Sequence, residues 1–284
     1  MTPPAEFDRL RAEARDRHGR GDAEGALLAL YRALALRRDD LACEQMLCRI
    51  LYESPAAFAA APWELVGIHD ARSLAEGYTR GLQQSRGEIV VFSHDDIGIL
   101  SPDLGSELAR ALDAVDVVGV VGATHLAGPA FAWGGKAFTR GQIAEPALDG
   151  TVQLVVFNPT PGITGGLAAV DGVFMAARRE TVEAVGFDAA TFDGFHLYDI
   201  DFSYRAHRAG YRVGVSAAIV VRHDSPGGFD ARWEAYAQRF LAKFPEVRGE
   251  RFRNVMSRIP FRSADELLAY CRRLEEAGRR ALGA

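Results

Sequence analysis

Cysteine is scarce in this chain: Cys43, Cys48 and Cys271 are the three among 284 residues, and they make no metal-ligand spacing. A disulfide framework is therefore excluded. Cys43 and Cys48, five apart in helical sequence, are expected as core or half-buried thiols in a reducing compartment. No apolar run approaches the roughly 18 residues that a membrane span requires. Met1 to Gly21 is polar and charged without an apolar centre, so no signal peptide is expected and a cytoplasmic location is. The chain also lacks a dense Lys/Arg stripe and carries a net charge of −5, which argues against a nucleic-acid partner. What remains is ordinary for a soluble protein, 48% hydrophobic and 25% charged. The length suits one large α/β domain with attachments.

Three regions follow from the hydrophobic pattern. Residues 1–60 read as helices. Gly21 to Leu36 places Ala26, Leu30, Ala33 and Leu34 on one face. That segment resembles the second half of a tetratricopeptide repeat, with Arg38 where a proline is usual. One such unit cannot bury its own face, so it either packs on the next domain or meets a protein partner. Residues 61–245 alternate strands and helices. Trp63 to Ile68 reads as a strand, and the Ser73/Glu76 capping box opens a helix carrying Leu74, Tyr78 and Leu82. Ser101-Pro102 predicts an N-cap for a helix with Leu104, Leu108 and Leu112, and Val115 to Ala123 reads as one apolar strand. Short strand–helix–strand links imply a parallel sheet built from right-handed crossovers. Residues 246–284 read as a helical segment, its last helix opened by the Ser263/Glu266 capping box with Leu267, Cys271 and Leu274 facing inward.

Chemistry concentrates where strands end. Ile89-Val-Val-Phe92 is β-branched and aromatic, too short for a helix, and runs into His94, Asp95 and Asp96. Ligands in open α/β sheets gather outside the carboxyl ends of strands. A hard divalent cation there would take carboxylate oxygens and keep positions open for phosphates. An acidic turn capping the next helix is the other reading. A second acidic set, Asp199 and Asp201, opens a helix from about Tyr198 to Gly210, and His223 ends the strand from Arg212. Two Gly/Pro loops, 126–150 and 158–166, are expected to border a pocket, with Phe131 and Trp133 as flat, exposed apolar faces.

In this order the elements resemble the GT-A nucleotide-sugar glycosyltransferases, family-2-like, over Trp63 to Phe244. Ser73 to Gly81 looks like the segment before the metal strand, with Thr79 where Asn is common. His94 and Asp96 stand in the acidic positions of the Asp-x-Asp signature. Tyr198 replaces a family Glu, Asp199 matches the general-base Asp, and His223 sits where relatives carry a C-terminal His. The resemblance implies an α/β, GT-A-like (Rossmann-like) fold: a mixed, mainly parallel sheet flanked by helices, with helical N- and C-terminal extensions. It implies a divalent metal (Mn2+ or Mg2+) on His94, Asp96 and His223, and Asp199 as catalytic base. It further implies donor contacts from Asp70, Arg72, Ser73, Asp95, Asp171 and His196. The partners would be a nucleotide-sugar donor and a glycan, lipid-linked or protein acceptor.

Several residues keep a plainer alternative. Asp199 could simply cap its helix. Asp201 lies four residues before Arg205 and is expected to pair with it. His196 is either a substrate contact or an ordinary packed residue, and His69 and His125 could line the sheet edge. A GT-A-shaped scaffold without turnover is the competing function. A His94-Asp95 pair of a metal phosphohydrolase is disfavoured, because those pairs sit on helices and this one ends a strand.

Overall fold

The run Ile89-Val-Val-Phe-Ser93 forms β1, and its alternation decides how the sheet is covered on both sides. The computed structural model describes residues 3–37, 40, 43, 46, 63–64, 66–68, 70–147, 151–158, 162–225 and 228–282. Ahead of β1 lie α1 (Pro3–Gly19), α2 (Ala23–Leu36) and α3 (Leu74–Gln84). After it come β2 (Ile97–Ile99), α4 (Leu104–Ala114), β3 (Val117–Gly119), β4 (Val121–Ala123), β5 (Thr139–Pro146) and β6 (Val152–Asn158). Then follow β7 (Ile163–Gly165), β8 (Ala169–Val170), β9 (Phe174–Arg178), α5 (Arg179–Val185), α6 (Tyr198–Arg208), β10 (Val213–Ser216) and β11 (Val221–His223). The chain continues through α7 (Ala231–Lys243), β12 (Ser257–Phe261) and α8 (Ala264–Leu282).

The main sheet has the order β1-β9-β3-β10-β7. Strands β1, β3 and β10 run in one direction, as helical crossovers require, but β9 inserts antiparallel between β1 and β3. A second sheet has the order β12-β6-β5-β11-β2, with β4 joining β5 to β8. Among the described strands only β3–β10 and β5–β11 pair in parallel; the other pairings are antiparallel. The expected mainly parallel sheet is thus corrected to a mixed, largely antiparallel one. The reason lies in the links: β5 turns into β6 through Ala147 N–H to Thr151 O at 2.8 Å, too short a connection for a parallel partner.

Residues of alternating parity face opposite layers. Val90, Phe92, Val117, Met175, Ala177, Val213 and Val215 pack under α6 and α7, against Phe202, Ala206, Ala237 and Phe240. Val118, Phe174 and Ala176 face α4 through Leu104, Leu108 and Leu112. Both sides of β9 are therefore buried, which is why it reads Phe-Met-Ala-Ala without polar alternation.

Other expectations are corrected as well. Val115–Ala123 is two strands, because Val120 bends the chain from the first sheet into the second. Gly141 at φ +97° makes the bulge that lets β5 pass this bend; a Cβ there would overlap Val120 O. Ser101 is not a cap: its hydroxyl donates to Ala218 O at 2.8 Å and accepts from Val220 N–H at 2.7 Å, leaving Asp103 to cap α4. The described residues between Trp63 and Ile68 carry no strand. Part of the 126–150 loop is β5, and the C-terminal region contributes β12 to the second sheet before α8.

Both serine caps are present, while the glutamates reach back to the N–H of the residue before each cap, Arg72 and Arg262. Glu76 N–H donates to Ser73 Oγ at 3.1 Å, and Glu266 N–H donates to Ser263 Oγ at 3.2 Å. Helices α1 and α2 bury Phe7, Leu10, Ala14, Ala26, Ala29, Leu30 and Ala33 with Cys43, the small alanines allowing close approach. Arg38, Cys48 and His69 lie outside the described residues. Burial pushes the thiols of Cys43 and Cys271 up to about 11, as inert core cysteines require. Among the described residues no helix is long and apolar enough to cross a membrane.

Candidate active site

The site is assembled by one short pairing that joins two strand ends. After β1 the chain makes a single turn at His94–Asp96 and enters β2, which pairs antiparallel with β11 so that Ile97 faces His223. Asp96 O accepts from Asp224 N–H at 3.0 Å and carries the pairing one step further. Asp96 and His223, distant in sequence, thereby become neighbours.

His223 Nε2 lies 3.3 Å from Asp96 Oδ1 and 3.3 Å from His94 Nδ1, while His94 Nδ1 lies 3.8 Å from the same carboxylate. One ligand atom from each of His94, Asp96 and His223 falls within 4.8 Å of the others. All three side chains are half-buried, open enough for a ligand and dry enough for strong electrostatics. Burial works against the Asp96 carboxylate, but hydrogen bonds from His223 and Ser225 outweigh it and bring its pKa down to about 2. Burial likewise works against protonated His223, yet the Asp96 hydrogen bond and charge raise its pKa above the usual value. His94 moves the other way: burial and the His223 charge lower it, outweighing the nearby carboxylates. Two nitrogens and one carboxylate oxygen converging on one point form a donor set that suits a divalent cation.

The second half of the site grows from α6. Leu197, at φ 62°, is the one non-glycine residue in left-handed backbone among those described, and this turn delivers Tyr198 and Asp199 to the helix start. Tyr198 is buried, and its hydroxyl lies 3.2 Å from His94 Nε2. Asp199 Oδ2 accepts from Gly172 N–H at 2.7 Å. Gly172 has to be glycine, since a Cβ there would collide with the Tyr198 hydroxyl and with Asp199. Burial first, and the Asp171 charge second, push the Asp199 carboxyl up to about 7 against the backbone donors Ile200 and Gly172.

A family model described as a glycosyltransferase-like family matches residues 49–244. The chain belongs to that glycosyltransferase-like family. No curated protein matches it. The matched span ends at Phe244, the C-cap of α7, where the sequence resemblance also ended, and it begins upstream of Trp63. In the frame of this glycosyltransferase-like domain, the expected metal residues and the expected base lie on one string of polar contacts from Asp96 through His223, His94, Tyr198 and the Gly172 backbone to Asp199.

Other expected residues of the glycosyltransferase-like domain are more dispersed. Asp171 is half-buried in the turn before β9, its Oδ1 accepting from Val173 N–H at 2.9 Å, and its charge acts on His94, His223 and Asp199 alike. Asp95 is exposed and stands outside the three-residue cluster. Asp70 is exposed and pairs with Arg80 at 2.9 Å, and Arg72 is exposed one residue before the cap of α3. Ser73 is buried as that cap. His196 lies 3.9 Å from Asp230 and near the Tyr236 ring, away from the cluster. Asp201 is fully buried between Arg205 at 2.8 Å and Lys243 at 2.5 Å, in agreement with its structural reading. Trp133 is not an exposed platform: Arg251 covers one face at 4.1 Å and Trp233 packs against it, so Phe229, 61% exposed, is the aromatic left open beside them. Sequence reasoning missed the placing role of Gly172 and the contact from Ser225 Oγ to His223 Nε2 at 3.4 Å. The Asp171-Gly172 break between two apolar stretches was the available signal for the first; nothing marked the second.

Proposed function

We propose that this chain transfers a sugar from a nucleotide-sugar donor to a hydroxyl acceptor, with inversion and with a divalent metal. The observation that carries the reading is the junction of two groups with different chemistry. His94, Asp96 and His223 form a cation-binding set, and Tyr198 links it to Asp199, whose carboxyl is raised to about 7. His94, Asp96 and His223 would hold the cation, which when bound would supply positive charge toward the departing nucleoside diphosphate. Asp199 accepts the acceptor's hydroxyl proton as the oxygen–anomeric carbon bond forms and the carbon–phosphate oxygen bond breaks. A base with a pKa close to neutral is both unprotonated often enough and strong enough for that task. One carboxylate on one side of the reacting carbon supports a single displacement, hence inversion. Asp171 keeps Asp199 basic by its charge, and Gly172 N–H holds the carboxylate in place.

Asp70, Arg72, Asp95 and His196 are assigned to the donor, and Ser73 supports that wall as a cap. Acceptors with a free hydroxyl on a glycan, a lipid-linked carrier or a protein fit this chemistry. Buried, unpaired thiols favour action in the cytoplasm. The exposed Leu28 and Leu36 of α2 favour a protein partner for residues 1–60. Calorimetric titration of nucleoside diphosphates, with and without Mn2+, tests the reading. Asp96→Ala should lose the metal-dependent part of binding while its circular dichroism stays native. Undiminished metal-dependent binding in that variant would remove the assignment.

A further inference from the structure

Tyr198 has one hydroxyl proton and three polar neighbours. Its oxygen lies 3.3 Å from Gly172 O and 3.2 Å from His94 Nε2. A carbonyl oxygen can only accept, so it takes the phenolic proton. Tyr78 offers a second acceptor on that side, because its own hydroxyl proton goes to Ser93 O at 3.0 Å. The lone pair of Tyr198 is then turned toward His94 Nε2, which must carry the imidazole proton. A neutral imidazole has one N–H, so Nδ1 is left as a bare acceptor. Nδ1 is the atom that faces His223 Nε2 and Asp96 Oδ1. Metal-binding histidines are oriented in this way, with the far nitrogen donating to a fixed acceptor.

Ligand type then decides which ion the cluster prefers. Mg2+ and Ca2+ take oxygen ligands and gain little from nitrogen. Imidazole suits first-row transition ions, whose affinities for mixed nitrogen and oxygen sites rise along the series from Mn2+ to Cu2+. We infer that Tyr198 is a positioning residue that locks His94 in the Nδ1-ligating tautomer, making His94, Asp96 and His223 a two-imidazole, one-carboxylate site that selects a transition ion over Mg2+. This inference rests on the metal assignment of the proposed function and deepens it.

The test uses the full chain and metal alone. Co2+ serves as the probe because its visible absorption reports nitrogen ligation. Wild type should bind Co2+, and about a 100-fold excess of Mg2+ should fail to displace it. Tyr198→Phe keeps the ring and removes the oxygen that holds His94; Co2+ affinity should fall about 10–100-fold, with the melting temperature near that of wild type. His94→Asp restores an oxygen ligand and should let Mg2+ displace Co2+ at comparable concentration. Nitrogen NMR of metal-free wild type should find the His94 proton on Nε2, a readout that needs no variant to fold. Displacement of Co2+ from wild type by equimolar Mg2+, or a proton on Nδ1, overturns this inference and leaves the glycosyl-transfer reading standing. Absence of Co2+, Mn2+ and Mg2+ binding altogether overturns both.

Discussion

Asp199→Asn should make the protein more stable at neutral pH while disabling it. The native carboxyl is raised from 3.8 to about 7, burial being the first cause and Asp171 the second. Below pH ~3.8 the group is protonated in both folded and unfolded chains and costs nothing. Between that value and about 7 the unfolded chain releases the proton while the folded chain retains it, so native stability falls as pH rises. Above that range the full cost of an ionised, buried carboxylate is present. At ~1.4 kcal/mol per pKa unit the upper bound is ~4 kcal/mol. Asp199 keeps some contact with water and shares its field with Asp171, which reduces the expected value to ~2 kcal/mol. Asparagine has the same shape, still accepts from Gly172 N–H and carries no charge. Thermal melts of both proteins from pH 4 to 8 should coincide at the acid end and separate to roughly 5 °C at pH 8, at ~2–4 °C per kcal/mol for a chain approaching this size. A difference that does not change with pH, or an Asn variant less stable than wild type at pH 8, would refute the reasoning.

Gly172→Ala should place a methyl group against the Tyr198 hydroxyl and Asp199 Cβ; overpacking of this kind costs ~1–3 kcal/mol. Its turnover should fall far more than its denaturation midpoint, and steady-state rates set beside urea melts will show whether it does. Asp201→Ala leaves Lys243 and Arg205 without their shared carboxylate and should cost about 3 kcal/mol in urea unfolding. An Asp201→Asn variant that folds should keep turnover within about ten-fold, since a group outside the chemistry lacks the 10²–10⁴ contribution of an acid or base.

Much of the site could be read from the chain because its parts end regular elements. The apolar run of β1 stops at His94 and the helix of Asp199 has a clear start, so those side chains could be placed from the chain alone. His223 does end a strand, but the stretch from Arg212 that reads as one strand is β10 in the first sheet and β11 in the second. The serine caps at Ser73 and Ser263 are local chemistry and held, with the glutamates bonding one residue earlier than a full capping box would have them. What escaped notice depends on partners far away in sequence. Ile97–Ile99 is too short to read as a strand, yet its pairing with β11 brings Asp96 to His223. The bend at Val120 falls inside an unbroken apolar run, and only β5 crossing over Gly141 creates it. Arg258 and Pro260 disguised β12, which tolerates them because it pairs on one side only, with β6. Ser101 looked like a cap until tertiary bonds to Ala218 and Val220 took its hydroxyl. The antiparallel insertion of β9 left no mark, since a strand buried on both faces looks the same in either direction.

The central claim, sugar transfer with Asp199 as base beside a His94–Asp96–His223 metal site, is tested most directly by nucleoside diphosphate release. Wild type and Asp199→Asn would be incubated with a panel of nucleotide sugars, Mn2+ and hydroxyl acceptors. Wild type should release the diphosphate with one donor, only with metal, and at a rate rising with pH as Asp199 ionises around 7. The Asn variant should bind the same donor yet turn over at least about 10²-fold more slowly. Release by the Asn variant at the wild-type rate would contradict the account, as would a wild-type rate indifferent to chelation of the metal.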